Sequence, residues 1–111
     1  MEDDSYFMTH LSAQQKKDFR TIGHALKPII TISDNGLSDN ITAEISRALN
    51  DHELIKVKVN TADREQKHFI INEICRQHEA LLVQSIGKIA LLYRPAKEPN
   101  PKLSNILRQQ K

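Results

Sequence analysis

The sequence predicts a two-layer α/β fold with the element order α-β-α-β-α-β-β and a four-stranded mixed sheet, in which three strands are parallel and the last is antiparallel. Residues 54–59 alternate apolar and polar side chains, as a half-buried strand does. Two strand–helix–strand units follow one another along the chain, and such units require parallel strands with right-handed crossovers. Gly87-Lys88 separates two apolar runs and is typical of a tight hairpin turn.

The composition allows one domain with a modest core, since 39% of the 111 residues are hydrophobic. The net charge is +2, but residues 1–10 contain three acidic residues and no Lys or Arg. Residues 11–111 therefore combine 16 basic with 11 acidic residues, a net charge of +5. A basic body suits a polyanionic partner, although an ordinary solvated surface explains this charge equally well.

Several classes of protein are disfavoured. Cys75 is the single cysteine, which excludes an intramolecular disulfide and a Cys-cluster zinc site, and its apolar neighbours predict a buried, inert thiol. No apolar run approaches the roughly 18 residues of a membrane span, and the acidic start does not resemble a signal peptide. We expect a soluble cytoplasmic protein with no membrane partner, no metal and no cofactor.

Residues 12–26 predict the first helix. Ser12 and Gln15 form a capping-box pattern at its start, and Gly23 is expected to end it. The apolar residues at helical spacing are Phe19, Ile22 and Leu26. The basic residues mostly on its other face are Lys16, Lys17 and Arg20. They either contact phosphates or form the solvated face of an ordinary amphipathic helix.

Residues 27–38 predict a strand that leads through a tight turn into the second helix. The β-branched residues of 29–32 form the strand, and 33–36 have the Asp, Asn and Gly that favour turns. Ser38 is a suitable N-cap for a helix over 39–50. Backbone N–H groups at such a helix start attract anions, which in a nucleic-acid-binding protein are phosphates.

The remaining elements follow from residues 54–93. A second strand covers 54–59, and a capping-box pattern at 63–66 opens a third helix that extends to about residue 77. Apolar strands at 80–86 and 89–93 flank the Gly87-Lys88 turn, and three prolines within 95–101 end regular structure.

Three loops are expected to meet at one edge of the sheet, because the carboxyl ends of parallel strands share an edge and ligands tend to bind there. These loops are 33–36, 60–64 and 87–88. A rim of positive charge would come from Lys58, Arg64 and Lys88. By the same reasoning Lys27 and Arg94 fall at the opposite edge.

The chain resembles the CRM domain and, more closely, its stand-alone bacterial YhbY type. The matching motifs, in order, are Leu26-Lys-Pro-Ile-Ile, Asn35-Gly-Leu-Ser, His52-Glu-Leu-Ile-Lys-Val-Lys58, Asp63-Arg-Glu with Lys67, Gln84-Ser-Ile-Gly-Lys88 and Leu92-Tyr-Arg-Pro95. The resemblance covers residues 11–98. It implies a fold similar to the C-terminal domain of translation initiation factor three, and RNA binding. Bacterial members of the family associate with precursors of the large ribosomal subunit, and plant relatives act in group II intron splicing.

The family's RNA-binding loop has the form Gly-x-x-Gly, as in KH domains, and here it reads Ser33-Asp-Asn-Gly36. Loops of this kind hold the nucleic-acid backbone close to main-chain N–H groups. Ser33 adds a Cβ, which limits positive φ, but it also supplies a hydroxyl donor. Asp34 adds a negative charge that faces the expected anion. The resemblance therefore leaves open how tightly this loop holds RNA.

The sequence thus predicts a non-catalytic, monomeric protein that binds ribosomal RNA and assists assembly of the large subunit. We expect a flexible acidic N-terminus (1–10), a CRM-like RNA-binding domain (11–98) and a Pro-containing tail (99–111). The expected RNA-binding residues are Ser33, Asn35, Gly36, Lys58, Arg64, Lys67, Lys88, Lys16, Lys17, Arg20 and Lys27. The alternative is an adaptor that meets ribosomal proteins, with incidental RNA contact. An enzyme acting on RNA or nucleotides is least favoured, since no convincing catalytic pair is evident.

Overall fold

The computed structural model describes residues 11–33 and 35–109, and its element order is the predicted one. The helices are α1 (Ala13–His24), α2 (Asp39–His52) and α3 (Arg64–His78). The strands are β1 (Pro28–Ile32), β2 (Leu54–Val59), β3 (Leu81–Ile86) and β4 (Ile89–Tyr93), and a 3-10 turn follows at Leu107–Gln109. The predicted acidic N-terminus and Asp34 lie outside the described residues. None of the described helices combines the length and apolar composition needed to cross a bilayer.

The strands form one mixed sheet in the order β1-β2-β4-β3. β1 and β2 are parallel, with Ile32 opposite Val59, whereas β4 is antiparallel to both β2 and β3. β3 therefore runs in the same direction as β1 and β2, as predicted, but it pairs with β4 rather than with β2. Residues 90–92 of β4 are buried on both faces of the sheet, which agrees with the inner position of this strand.

Helices α2 and α3 cover one face of the sheet and form the main core. Ile45 and Leu49 of α2 lie four residues apart on one side of the helix, and both are fully buried. The other large buried members are Ile30, Ile32, Ile55, Val57, Val59, Ile70, Ile71, Ile74 and Leu92. Each such side chain stabilises the fold by roughly 1.5–3 kcal/mol relative to exposure, so this core is the main source of stability.

Helix α1 packs on the opposite face, so the sheet has three layers there rather than the two that we predicted. The smaller core on this side consists of Phe19, Leu54, Val83 and Leu91. Gly23 does not end α1, which continues to His24, and instead lies against Leu91. A Cβ on Gly23 would come within 2.6 Å of Leu91 Cδ2, so glycine is needed for the close approach of the helix to the sheet.

The C-terminal tail is held at the sheet edge where β2 begins. Glu53 is the C-cap of α2 with φ 62°, and only 5% of its surface is exposed. Its carboxylate accepts hydrogen bonds from Ser104 Oγ (2.7 Å) and from the backbone N–H of Ala96 (2.7 Å). The side chain of Asn105 also donates to the carbonyl oxygen of Leu54 (2.7 Å). A buried carboxylate thus binds the tail to the sheet.

Candidate nucleic-acid interface

The described residues of the three loops predicted to converge do lie side by side at one end of the sheet, here called the loop edge (residues 33, 35–36, 60–64 and 87–88). The N–H of Asn60 donates to the carbonyl oxygen of Ile32 (2.7 Å), which joins the first two loops at their bases. The N–H of Val59 donates to the carbonyl oxygen of Lys88 (2.7 Å), which joins the second loop to the hairpin turn. The order of the strands produces this arrangement, because β1, β2 and β3 all end there.

A cavity of about 490 Å³ opens at the loop edge, between the start of α3 and the hairpin turn. The residues that line it are Thr61, Ala62, Asp63, Arg64, Lys67, His68, Ser85, Gly87 and Lys88. Lys67 Nζ donates to the carbonyl oxygen of Gly87, and Lys88 Nζ donates to Asn60 Oδ1 (3.0 Å). An ammonium group has three donors, so both lysines keep donors for a further anion. The cavity therefore combines three permanent cations with one carboxylate, that of Asp63.

The two helix N-termini at the loop edge are already capped. Ser38 Oγ accepts from the N–H three residues ahead (3.2 Å) at the start of α2. Asp63 Oδ1 accepts from the N–H of Glu65 (2.9 Å) at the start of α3. Asp39 and Glu65 add negative charge in the first turns. Fewer backbone N–H groups are therefore free to bind a phosphate than the sequence suggested, and the positive charge comes chiefly from side chains.

The Ser33–Gly36 turn is closed by its own hydrogen bonds. The N–H of Gly36 donates to the carbonyl oxygen of Ser33 (2.9 Å), and Ser33 Oγ accepts from the N–H of Asn35 (3.4 Å). Gly36 has φ 78°, a conformation that favours glycine, although a Cβ there would meet nothing within 4 Å. Ser33 does not have positive φ, so a side chain at this position of the Gly-x-x-Gly pattern causes no backbone strain.

The structure groups only some of the predicted RNA-binding residues. Arg64, Lys67 and Lys88 share the cavity, and Ser33, Asn35 and Gly36 lie in the neighbouring loop. Lys58 is exposed but lies on the sheet face that α1 partly covers, since it alternates with the core residues Val57 and Val59. The exposed basic residues of α1 lie on that same side of the sheet: Lys16, Lys17 and Arg20.

Lys27 precedes β1 and therefore lies at the opposite edge. It lines a separate cavity of about 220 Å³ whose other basic residues are His52, Lys56 and Arg108. We did not predict Lys56 as a site residue, although the alternation that placed Lys58 on one face of β2 places Lys56 on the same face. His68, another lining residue of the loop-edge cavity, was also missed, because a lone histidine in a helix has no distinguishing pattern.

Residues 11–94 match the family model of the CRS1/YhbY (CRM) domain. This range includes every helix and strand from α1 to β4. The chain belongs to the CRS1/YhbY (CRM) domain family. The resemblance seen in the sequence is thereby confirmed.

This CRM-domain chain spans almost the whole length of two similar proteins. A protein of Pseudomonas aeruginosa named a probable RNA-binding protein is 52% identical over 98 residues, which is 88% of this chain and 94% of the relative. An RNA-binding protein of Haemophilus influenzae is 52% identical over 91 residues, which is 82% of this chain and 92% of the relative.

A solved structure has the same fold. The solution structure of a hypothetical protein from Staphylococcus aureus, for which RNA binding has been put forward, is 30% identical and superimposes with a TM-score of 0.71. The match covers 86% of this chain and 98% of that one. The predicted α/β fold, with its element order and mixed sheet, is confirmed.

Proposed function

We propose that this CRM-domain protein binds RNA at the loop edge and acts as a binding protein rather than as an enzyme. The observation that carries the proposal is the convergence of Arg64, Lys67 and Lys88 on one open cavity. The chain is also similar to two proteins named for RNA binding.

The mechanism would be electrostatic and based on shape. Lys and Arg side chains hold phosphates wherever the backbone places them, so they position a folded RNA without reading many base edges. The Ser33–Gly36 turn lies beside the cavity and would contact the adjacent stretch of the RNA backbone. Because the helix N-termini are capped, the side-chain cations would supply most of the binding free energy.

The target we propose is ribosomal RNA within precursors of the large ribosomal subunit, whose assembly the protein would assist as a monomer in the cytoplasm. This part rests on the likeness to stand-alone bacterial CRM proteins. A basic cavity that recognises phosphate geometry suits a folded RNA of this kind better than it suits one defined sequence.

A matched pair of charge reversals tests the site. Arg64→Glu/Lys88→Glu changes the loop edge, whereas Lys97→Glu/Lys102→Glu changes two exposed lysines of the C-terminal segment by the same total charge. Affinity for a large-subunit RNA fragment, measured by fluorescence anisotropy, should fall at least about tenfold in the first variant and less than about twofold in the second. Equal losses would mean that general charge, and not this cavity, attracts the RNA.

The salt dependence tests the mechanism. Three phosphate contacts give a slope of log K against log salt of about −2 to −3, and the loop-edge variant should reduce this slope by about 1.5. A flat response in the unchanged protein would contradict a phosphate-based mechanism. If the loop-edge variant still cosediments with precursor particles in cell lysates, the adaptor alternative is favoured.

A further inference from the structure

Helix α1 covers only part of its sheet face and leaves the end nearest the hairpin turn open. The core under α1 involves Leu54, Val83 and Leu91, whereas Lys58 and Ile86 further along the strands are exposed. Ile86 has 63% of its surface exposed, which is high for a β-branched residue in a paired strand. We call this uncovered region the open half-face (Lys56, Lys58, Gln84, Ile86 and Ile89).

A cavity of about 200 Å³ lies between the open half-face and the end of α1. The residues that line it are His24, Lys56, Gln84, Ile86, Ile89 and Leu91. Three of these side chains are aliphatic, one is a carboxamide, two are basic, and none is acidic. Lys58 lies on the same face as Lys56, two residues further along β2, and pairs in register with Ile89.

We propose that this cavity binds one unpaired nucleotide of the RNA that is held at the loop edge. The proposal rests on the proposed function and adds a preference for RNA with an exposed base. The aliphatic side chains would contact the flat face of the base, and Gln84 would exchange hydrogen bonds with its edge. Lys56 and Lys58 would bind the phosphates on either side of that nucleotide.

Charge distinguishes this cavity from a similar one on the other face of β3. That second cavity has about 210 Å³ and is lined by His68, Ile71, Asn72, Leu82 and Ser85, without Lys or Arg. Both cavities could hold an apolar group of about the same size. Only the one on the open half-face has permanent cations beside it to neutralise a nucleotide's phosphate, so we assign the nucleotide to it.

The open half-face is also continuous with the loop edge. Lys88 at the hairpin tip precedes Ile89, and Ile86 and Ile89 pair directly across that turn. An RNA strand that leaves Lys88 therefore reaches the cavity by passing over the turn, within two or three residues along the strands. At about 3.3 Å per residue this distance is roughly 10 Å, which a strand of one or two nucleotides spans.

Two RNAs and two variants test the proposal. One RNA is a fully paired hairpin, and the other is the same hairpin with a single unpaired nucleotide in its stem. Gln84→Ala/Ile86→Ser alters the open half-face, and Asn72→Ala/Leu82→Ser makes comparable changes in the cavity on the opposite face of the sheet. Thermal unfolding of each variant shows whether it is folded, and fluorescence anisotropy measures each affinity.

The unchanged protein should bind the bulged RNA about tenfold more tightly than the paired one. The open half-face variant should reduce this preference to less than about twofold with unchanged affinity for the paired RNA, and the opposite-face variant should keep the full preference. Equal binding of both RNAs by the unchanged protein, or a preference that survives in the open half-face variant, would overturn the inference and leave RNA binding at the loop edge standing. Binding of neither RNA would overturn both proposals.

Discussion

The loop edge and the opposite edge of the sheet both contain charged side chains, but these side chains have different partners. At the opposite edge, Arg94 donates to the carbonyl oxygens of His78 (3.1 Å) and Ser46 (3.2 Å) and to Asn50 Oδ1 (2.7 Å). At the loop edge, the exposed guanidinium of Arg64 takes part in none of the hydrogen bonds or ion pairs found among the described residues. One arginine thus stabilises the fold at the opposite edge, whereas another is available to a ligand at the loop edge.

The difference follows from burial, since Arg94 is half-buried and Arg64 is exposed. A buried charge must be matched by hydrogen bonds, because removal from water is costly, and once matched it holds its partners in place. An exposed charge keeps its hydration and contributes little to stability, but it remains able to bind an anion. The comparison therefore predicts that mutations at the opposite edge lower stability, whereas mutations at the loop edge lower RNA affinity.

The largest effect should come from Glu53→Ala. This change leaves Ser104 Oγ and the N–H of Ala96 without their acceptor, so the free energy of unfolding should fall by about 3 kcal/mol, as measured by urea denaturation. Glu79→Ala is the control, because Glu79 also has positive φ (54°) at a helix C-cap but is exposed. It should change stability by less than about 0.5 kcal/mol. Equal losses of stability in the two variants would mean that the backbone conformation, and not the buried carboxylate, accounts for the effect.

A smaller effect is expected from Arg94→Ala, compared with Arg64→Ala. The first removes three hydrogen bonds from a charged donor to neutral acceptors and should lower the free energy of unfolding by about 2 kcal/mol. The second should alter stability by less than about 0.5 kcal/mol but weaken RNA binding several-fold. Both are measured by urea denaturation and fluorescence anisotropy. A comparable loss of stability in the Arg64 variant would show that the loop edge is also structural.

The smallest effect concerns pH. Among the described residues, His78 Nε2 is a buried atom without a hydrogen-bond partner. Burial, and then the charge of Arg94, lower the pKa of His78 below its usual 6.5. The unfolded chain therefore protonates His78 more readily than the folded chain does. The contribution of neutral His78 to stability is present above pH 6.5 and is lost as the pH falls from 6.5 towards the lower pKa of the folded state.

His78→Leu should remove this part of the pH dependence. Between pH 7.5 and 5.5 the variant should lose less stability than the unchanged protein, as measured by urea denaturation at each pH. All other residues are the same in both proteins, so their contributions cancel in the difference. If the free energy of unfolding changes with pH in the same way in both proteins, His78 is protonated as easily in the folded chain as in the unfolded one.

Much of the fold was predictable because its signals are local. Ser12 and Gln15 form the predicted capping box, and Ser38 and Asp63 cap the helices that they precede. The alternation of residues 54–59 identified β2 with its observed limits. A cap bond joins residues two or three apart, and a strand pattern repeats every two residues, so neither depends on the rest of the chain.

The candidate site was predictable only in part. The parallel strands and the hairpin implied that Arg64 and Lys88 would meet, and they line one cavity. The sequence did not show that Lys56 and Lys58 lie on a different face of the sheet from the one that this cavity adjoins. The assignment of the faces depends on the side on which α1 packs. The pattern at 63–66 did predict that Asp63 caps a helix, and the structure adds that this carboxylate lies among the cations of the cavity.

By itself, the sequence determined the helices and strands, the strand directions, and the family to which the chain belongs. Only the tertiary structure decided that β4 lies between β2 and β3, that α1 leaves half of its sheet face open, and that Glu53 is buried. The bond between Glu53 and Ser104 joins residues 51 positions apart. Such contacts form only when the whole core has packed, so no pattern within a few residues of either partner could reveal them.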